Sequence, residues 1–390
     1  HGFTSRLGVI RSVAQSNAEV TVIVLTNGKD ENKPIDCFSC YVRRFLFCDR
    51  NDMEGLIRML LEQCTDPWQK PILVPDTDTV AAAIDLHQAA LAPYFLFPHI
   101  RHEAGAVLEG MDKVRQKQLA RSLEMDVAEG RVIDMRDGAY EIPESLTYPC
   151  FLKPLATVRG GKGGMGKCDS REDVEAKLAY IRRFRSPDEP VLLEAYKEIV
   201  NEYAVVGFSD GESVCIPAVL HLLAVSRRNP GIALQGKVMP VTGFEELLEK
   251  FRNMLKTIGF TGLFDIDFYE ADGKLYFGEL NLRFGGSGYA VTKMGANLPA
   301  LMVRSLKGEE NLVPVPAVSG SATYVNERMC YDDWNNGFIT LEEYRSFLAS
   351  ADIRFLTDPS DPEPGEAYDR MFQKQRVAKA VRKLLKRHGK

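Results

Sequence analysis

Two short stretches hold the side chains best suited to chemistry: Asp265-Ile266-Asp267-Phe268 and, a dozen residues on, Glu279-Leu280-Asn281-Leu282-Arg283. Each reads as a strand, and the period of two puts Asp265 and Asp267 on one face and Glu279, Asn281 and Arg283 on another. If the strands pair antiparallel, Asp267, Glu279 and Asn281 aim at one point. Two carboxylates and an amide oxygen suit a hard cation such as Mg2+, or Mn2+ in its place, with positions left for phosphate oxygens. The plainer reading is a polar, solvent-facing strand edge.

A second feature is the glycine-dense run Arg159-Gly160-Gly161-Lys162-Gly163-Gly164-Met165-Gly166-Lys167, just after the strand that ends in Leu152-Lys153-Pro154. Glycine lets consecutive backbone amides turn toward an anion, and the lysines add positive charge. The run lacks the Gly-Lys-Ser/Thr end of a P-loop and is no dinucleotide fingerprint. It reads equally as a flexible surface loop or as a phosphate lid. Arg227 and Arg228, in Val225-Ser226-Arg227-Arg228-Asn229-Pro230-Gly231, are an adjacent pair of the kind usually solvated, but able to clamp a carboxylate. None of the six histidines pairs with a serine or cysteine as base and nucleophile; His99 and His102 read as ordinary polar residues.

The elements that must position these residues alternate between helix and strand. Residues 6–16 read as a helix, 19–26 and 72–75 as buried strands, and 111–123 as a helix. Short β runs follow at 148–153, 191–194 and 201–208. Apolar residues recur at helical spacing over 245–258, and two strands, 262–269 and 274–280, flank the turn signal Ala271-Asp272-Gly273. A helix ahead of any strand suggests that a first strand precedes the given sequence. The Pro- and Val-rich stretch 313–320 reads as a connector. Three units are therefore expected: an N-terminal α/β domain over 1–98, a central core over 99–312 and a C-terminal region over 313–390.

Composition sets outer limits. At 45% hydrophobic and 26% charged residues the chain is an ordinary globular protein with a net charge of −5, and its one basic block is residues 379–390. That balance excludes an electrostatic footprint for nucleic acid. There is no run of roughly 18 apolar residues for a membrane span and no secretory pattern at the start, so a cytoplasmic enzyme is the expectation. The eight cysteines are scattered, and Cys37 and Cys40 have no second pair to complete a zinc site, so reduced, partly buried thiols are expected.

Taken in order, Lys153, the glycine run, Glu194, Glu202, Asp267 and Glu279-x-Asn281-x-Arg283 resemble the ATP-grasp superfamily over residues 111–305. The segment from Phe277 through Gly285-Gly286-Ser287 to Asn297-Leu298-Pro299 most resembles bacterial D-aspartate ligase and related carboxylate-amine ligases. The resemblance implies an α/β (α+β) ATP-grasp fold behind a Rossmann-like N-terminal domain. It further implies that Lys113 and Lys153 reach the ATP phosphates and that Gly160, Gly161, Gly163 and Gly164 belong to a loop over them. Glu194, with the backbone of Ala195 and Tyr196, would meet adenine, and Glu202 the ribose. Asp267, Glu279 and Asn281 would hold Mg2+. Arg283 and Lys153 would serve catalysis, and Arg227 and Arg228 would bind substrate. The implied activity is an ADP-forming ligase that joins a small-molecule carboxylate to the amine of an amino acid or peptide through an acyl phosphate. A small-molecule kinase or a non-catalytic ATP-binding protein on the same fold are the alternatives. Assembly is left open, with a homodimer as one option.

Overall fold

The computed structural model describes residues 3–27, 32–64, 66–136, 140–155, 164–184, 190–309 and 315–372. Its largest feature is a ten-stranded, mainly antiparallel sheet. At its centre the strand Phe260–Ala271 lies between Asn201–Asp210 and Lys274–Asn281. The tight link to Lys274–Asn281 follows from Asp272 and Gly273, both at positive φ (52° and 71°), the conformation of a two-residue hairpin turn.

One face of this sheet is covered by the helix Glu245–Ile258. Its apolar residues Leu248, Phe251, Met254 and Leu255 recur at helical spacing and pack on Phe264, Ile266, Phe268 and Phe277. Acidic Glu245 and Glu246 sit in the helix's first turn, and Gly259, at φ 69°, ends it. The opposite face packs on the helices Gly288–Lys293 and Leu298–Leu306.

A separate four-stranded sheet holds Gly130–Ile133, Val191–Ala195, Cys150–Pro154 and Gly166–Cys168 in that order. The helix Arg171–Phe184 closes it through Val174, Leu178 and Ile181. In the N-terminal part, Val20–Thr26 and Val42–Asp49 pair in parallel. The expected strand at 72–75 is instead a single bridge between Ile72 and Leu96, because Pro71 and Pro75 bracket it and remove donors that a ladder needs.

The C-terminal region is continuous with the large sheet: Ala322–Val325 extends its edge and Ile353–Arg354 adds beyond it. Buried Arg11, on the first helix, donates to Asp361 at 2.8 Å and to the carbonyls of Phe355 and Leu356, tying the two ends of the described chain together. All eight cysteines are free thiols. Among the described residues no helix is long and apolar enough to cross a membrane.

Candidate active site

The acidic cluster forms as antiparallel pairing dictates. Asp265 lies opposite Asn281 and Asp267 opposite Glu279. Asn281 Nδ2 donates to Asp267 Oδ2 at 3.4 Å. A bulge makes this possible: the register passes from Asp267–Glu279 to Phe268–Phe277 and skips Gly278. Phe277 thereby faces the core while Glu279, two residues on, faces the site. Glycine is required there, since a Cβ on residue 278 would lie 2.8 Å from the Asp267 carbonyl oxygen.

Asp265 sits deeper and is buried. Burial first, then the charge of Asp267, hold its carboxyl well above the ordinary carboxylate range, with Glu279 and Asp78 adding to the push. Gly285 passes so close that a Cβ there would meet the Asp265 carboxyl carbon at 2.6 Å. Asp265 thus backs the pair rather than competing with Asp267 for the open face.

Arg283 lies at the end of the same stretch. Its Nη2 donates to Asn281 Oδ1 at 3.3 Å and its Nε to Asp78 Oδ1 at 2.8 Å. Burial alone would lower the guanidinium pKa, but Asp78, Asp265 and Asp267 outweigh it and hold it above its ordinary value. Asp78 opens the helix Asp78–Leu86, where Thr77 caps by accepting from the Val80 amide. It comes from 205 residues away, and sequence spacing gives no sign of the pairing.

A lysine row lies alongside. Asp112 caps the helix Lys113–Ser122 by accepting from the Val114 and Arg115 amides. Gln116 bolts that helix to the sheet: its side chain donates to the Leu280 carbonyl at 2.7 Å and accepts from the Leu280 amide at 3.0 Å. Lys113 then meets Glu279 at 3.2 Å. One turn further, Lys117 touches Glu194, whose other oxygen is 2.7 Å from Lys153. Burial, and then the charges of Lys153, Arg121 and Lys113, pull the Lys117 ammonium down to about 7. Lys117 is missed by sequence reasoning, since a lysine on a helix reads as solvated until the packing shows otherwise.

Glu194 is almost fully buried on Val191–Ala195. The amides of Ala195 and Tyr196 are spent on the carbonyls of Glu129 (2.8 Å) and Pro149 (3.2 Å). Glu202 lies opposite Tyr269, two positions along the strand from Asp267 and on its face. Gly160, Gly161 and Gly163 lie outside the described residues; Gly164, at φ 83°, packs against Ile181 ahead of Gly166–Cys168.

Arg227 and Arg228 are not brought to the cluster. They lie just past the far end of the strand Val219–Val225, exposed, where the Arg227 backbone amide donates to Asp333 at 3.0 Å and its guanidinium to the Phe338 carbonyl. Arg228 acts electrostatically on Asp332. Both arginines are held by the C-terminal segment.

The donor set fits a hard cation. Asp265 feels the charges of Asp267, Glu279 and Asp78, while Arg283 pairs with Asp78 and Lys113 with Glu279, and Asp267, Glu279 and Asn281 offer oxygen donors on one face. Among the described residues no three His, Cys, Asp or Glu side chains gather as a metal cage. Two carboxylates completed by nucleotide phosphate oxygens match the usual habit of Mg2+.

The ATP-grasp domain model matches residues 118–315, just over half of the chain, and takes in the strand pair, Arg283, Lys153 and Glu194. The chain belongs to the ATP-grasp family. Among curated relatives it is 26% identical over 278 residues to a formate-dependent phosphoribosylglycinamide formyltransferase of Syntrophotalea carbinolica, covering 68% of this chain and 64% of that protein. It is 25% identical over 203 residues to the carbamoyl phosphate synthase large chain of Gemmatimonas aurantiaca, covering 51% of this chain and 18% of that one. The chain thus spans less than two thirds of these relatives' length. Similar solved folds include the biotin carboxylase domain dimer of the Hydrogenobacter thermophilus 2-oxoglutarate carboxylase, in complex with MgADP and bicarbonate (TM-score 0.63, 19% identity, 82% and 71% covered). Another is N5-carboxyaminoimidazole synthetase of Staphylococcus aureus (TM-score 0.60, 16% identity, 86% and 83% covered).

Proposed function

We propose that this ATP-grasp protein joins a carboxylate to an amine: ATP phosphorylates the carboxylate, ADP leaves, and the amine attacks the acyl phosphate, loses a proton and expels phosphate to give an amide. The observation that carries the reading is the convergence of Asp267, Glu279 and Asn281 with Arg283 at one end and Lys113 on Glu279. Phosphoryl transfer needs positioned charge far more than a protein nucleophile, and this cluster supplies it. Bound Mg2+ would offset the charge of the phosphate oxygens.

On this reading the chain's own residues take the following roles. Lys153, paired with Glu194, and Lys113, paired with Glu279, would bind triphosphate oxygens, and Arg283, held by Asp78 with its fork toward Asn281, would stabilise charge on the transferred phosphoryl group. Glu194, a carboxylate that only accepts when ionised, would take the adenine amino group, while the Ala195 and Tyr196 amides beside it already donate to the carbonyls of Glu129 and Pro149. The resemblance of the stretch after Phe277 to D-aspartate ligase favours an amino acid or peptide as one substrate.

The test is ADP release from ATP and Mg2+ across a matrix of carboxylates crossed with amines. The proposal expects release that depends on one member of each class, and ADP formed with an alcohol alone would overturn it in favour of a kinase.

A further inference from the structure

Two lysines from different elements converge on one buried carboxylate. Glu194 keeps 3% of its side-chain exposure, Lys117 keeps 7% and Lys153 keeps 26%. Lys117 comes from the helix bolted to the large sheet, whereas Glu194 and Lys153 belong to the small one. The contact therefore bridges the two sheets. Of the two cations, Lys153 is the more exposed and is the one placed to turn to nucleotide phosphates. When it does, Lys117 is the group left on Glu194, and it carries a charge there below about pH 7, the value to which burial and the neighbouring cations pull its ammonium.

A carboxylate this deeply buried does not stay ionised without a partner; its pKa rises and it protonates. Ionised, it only accepts hydrogen bonds; protonated, it also donates one. Whether position 6 of a purine carries an amino group or a carbonyl then matters: an ionised Glu194 pairs with the amino group and repels the carbonyl, while a protonated one tolerates both.

We propose that Lys117 is a positioning residue for nucleobase selection: by holding Glu194 as an ionised acceptor it makes the site take a 6-amino purine and reject a 6-oxo purine. This rests on the reading that Glu194 faces the base. The i, i+4 spacing of Lys113 and Lys117 lets one helix face serve both the acidic cluster and the base.

The test is equilibrium binding of MgATP and MgITP, which differ at position 6, to the full chain and to three variants, with melting curves beside them. The parent should prefer ATP by at least ~10²-fold, since a site built to hydrogen-bond one group rejects an analogue that lacks it. Lys117→Met should cut that ratio about 10-fold or more, Lys117→Arg should keep most of it, and Glu194→Gln should erase it. If Lys117→Met does not fold, Lys117→Gln takes its place. Equal weakening of both nucleotides by the Lys117 variant, with the ratio intact while Glu194→Gln loses it, overturns the proposal and leaves the Glu194 reading standing. A ratio unmoved by Glu194→Gln overturns that reading too.

Discussion

Replacing Arg283 separates a catalytic role from a structural one, because its partners offer a matched control. Arg283 and Asp78 are each about one-fifth exposed (20% and 21%) and bonded at 2.8 Å. Such a pair falls between an exposed bridge, at ~0–1 kcal/mol, and a buried one, at ~3–5 kcal/mol when one partner is removed. Arg283→Ala and Asp78→Asn should therefore both lose ~1–3 kcal/mol of stability, a melting shift of roughly 1–4 °C for a chain this long. Their kinetics should differ. Arg283→Ala removes a fixed cation from developing phosphoryl charge, and turnover should fall roughly 10²-fold or more, about 2.7 kcal/mol at ~1.36 kcal/mol per tenfold. Asp78→Asn leaves the guanidinium in place, still on Asn281, and should cost about tenfold or less. Arg283→Lys should recover only part of the loss, because an ammonium lacks the planar fork. The assay is steady-state ADP release beside thermal melting. Equal turnover losses in Arg283→Ala and Asp78→Asn, matched to equal melting shifts, would refute the catalytic role.

Three further outcomes are expected. Glu279→Gln or Asn281→Leu should abolish Mg2+-dependent turnover with little change in melting temperature, checked by Mg2+ titration of ADP release. Gly278→Ala should destabilise by ~1–3 kcal/mol and depress Mg2+-dependent activity, since its Cβ would push the Asp267 backbone; denaturant unfolding beside activity checks both. Burial, and then His102, pull His99 down to about 4, and its Nδ1 accepts from the His102 amide. The unfolded chain then takes up this proton first, near its ordinary ~6.5. Stability from this residue is full above about pH 6.5 and is lost as pH falls toward 4, and His99→Gln should flatten that slope in melting curves.

Much of the site is legible in the sequence because it is local. The strands around Asp265–Asp267 and Glu279–Arg283 show in their alternation and in the Asp272-Gly273 turn, and 245–258 shows in its apolar spacing. What escapes is tertiary. The skipped Gly278 reverses the faces of Phe277 and Glu279, and only pairing with the neighbouring strand reveals it. Asp78 is too far along the chain to be linked to Arg283. Lys117 looks like any helix-surface lysine until the Gln116 clamp turns its face inward. Arg227 and Arg228 read as able to clamp a substrate carboxylate, yet the strand Val219–Val225 delivers them to the C-terminal segment, a destination set by sheet order rather than by their neighbours in sequence.

Activation of a carboxylate by phosphoryl transfer can be tested without knowing the natural amine. The protein is incubated with ATP, Mg2+ and a panel of carboxylates in the presence of hydroxylamine, which stands in as the nucleophile, and hydroxamate is measured beside ADP. Hydroxamate equal in amount to ADP is expected for the carboxylate that is the substrate, and none from Glu279→Gln. ADP formed with a stable phosphorylated alcohol, and no hydroxamate from any carboxylate, would contradict it.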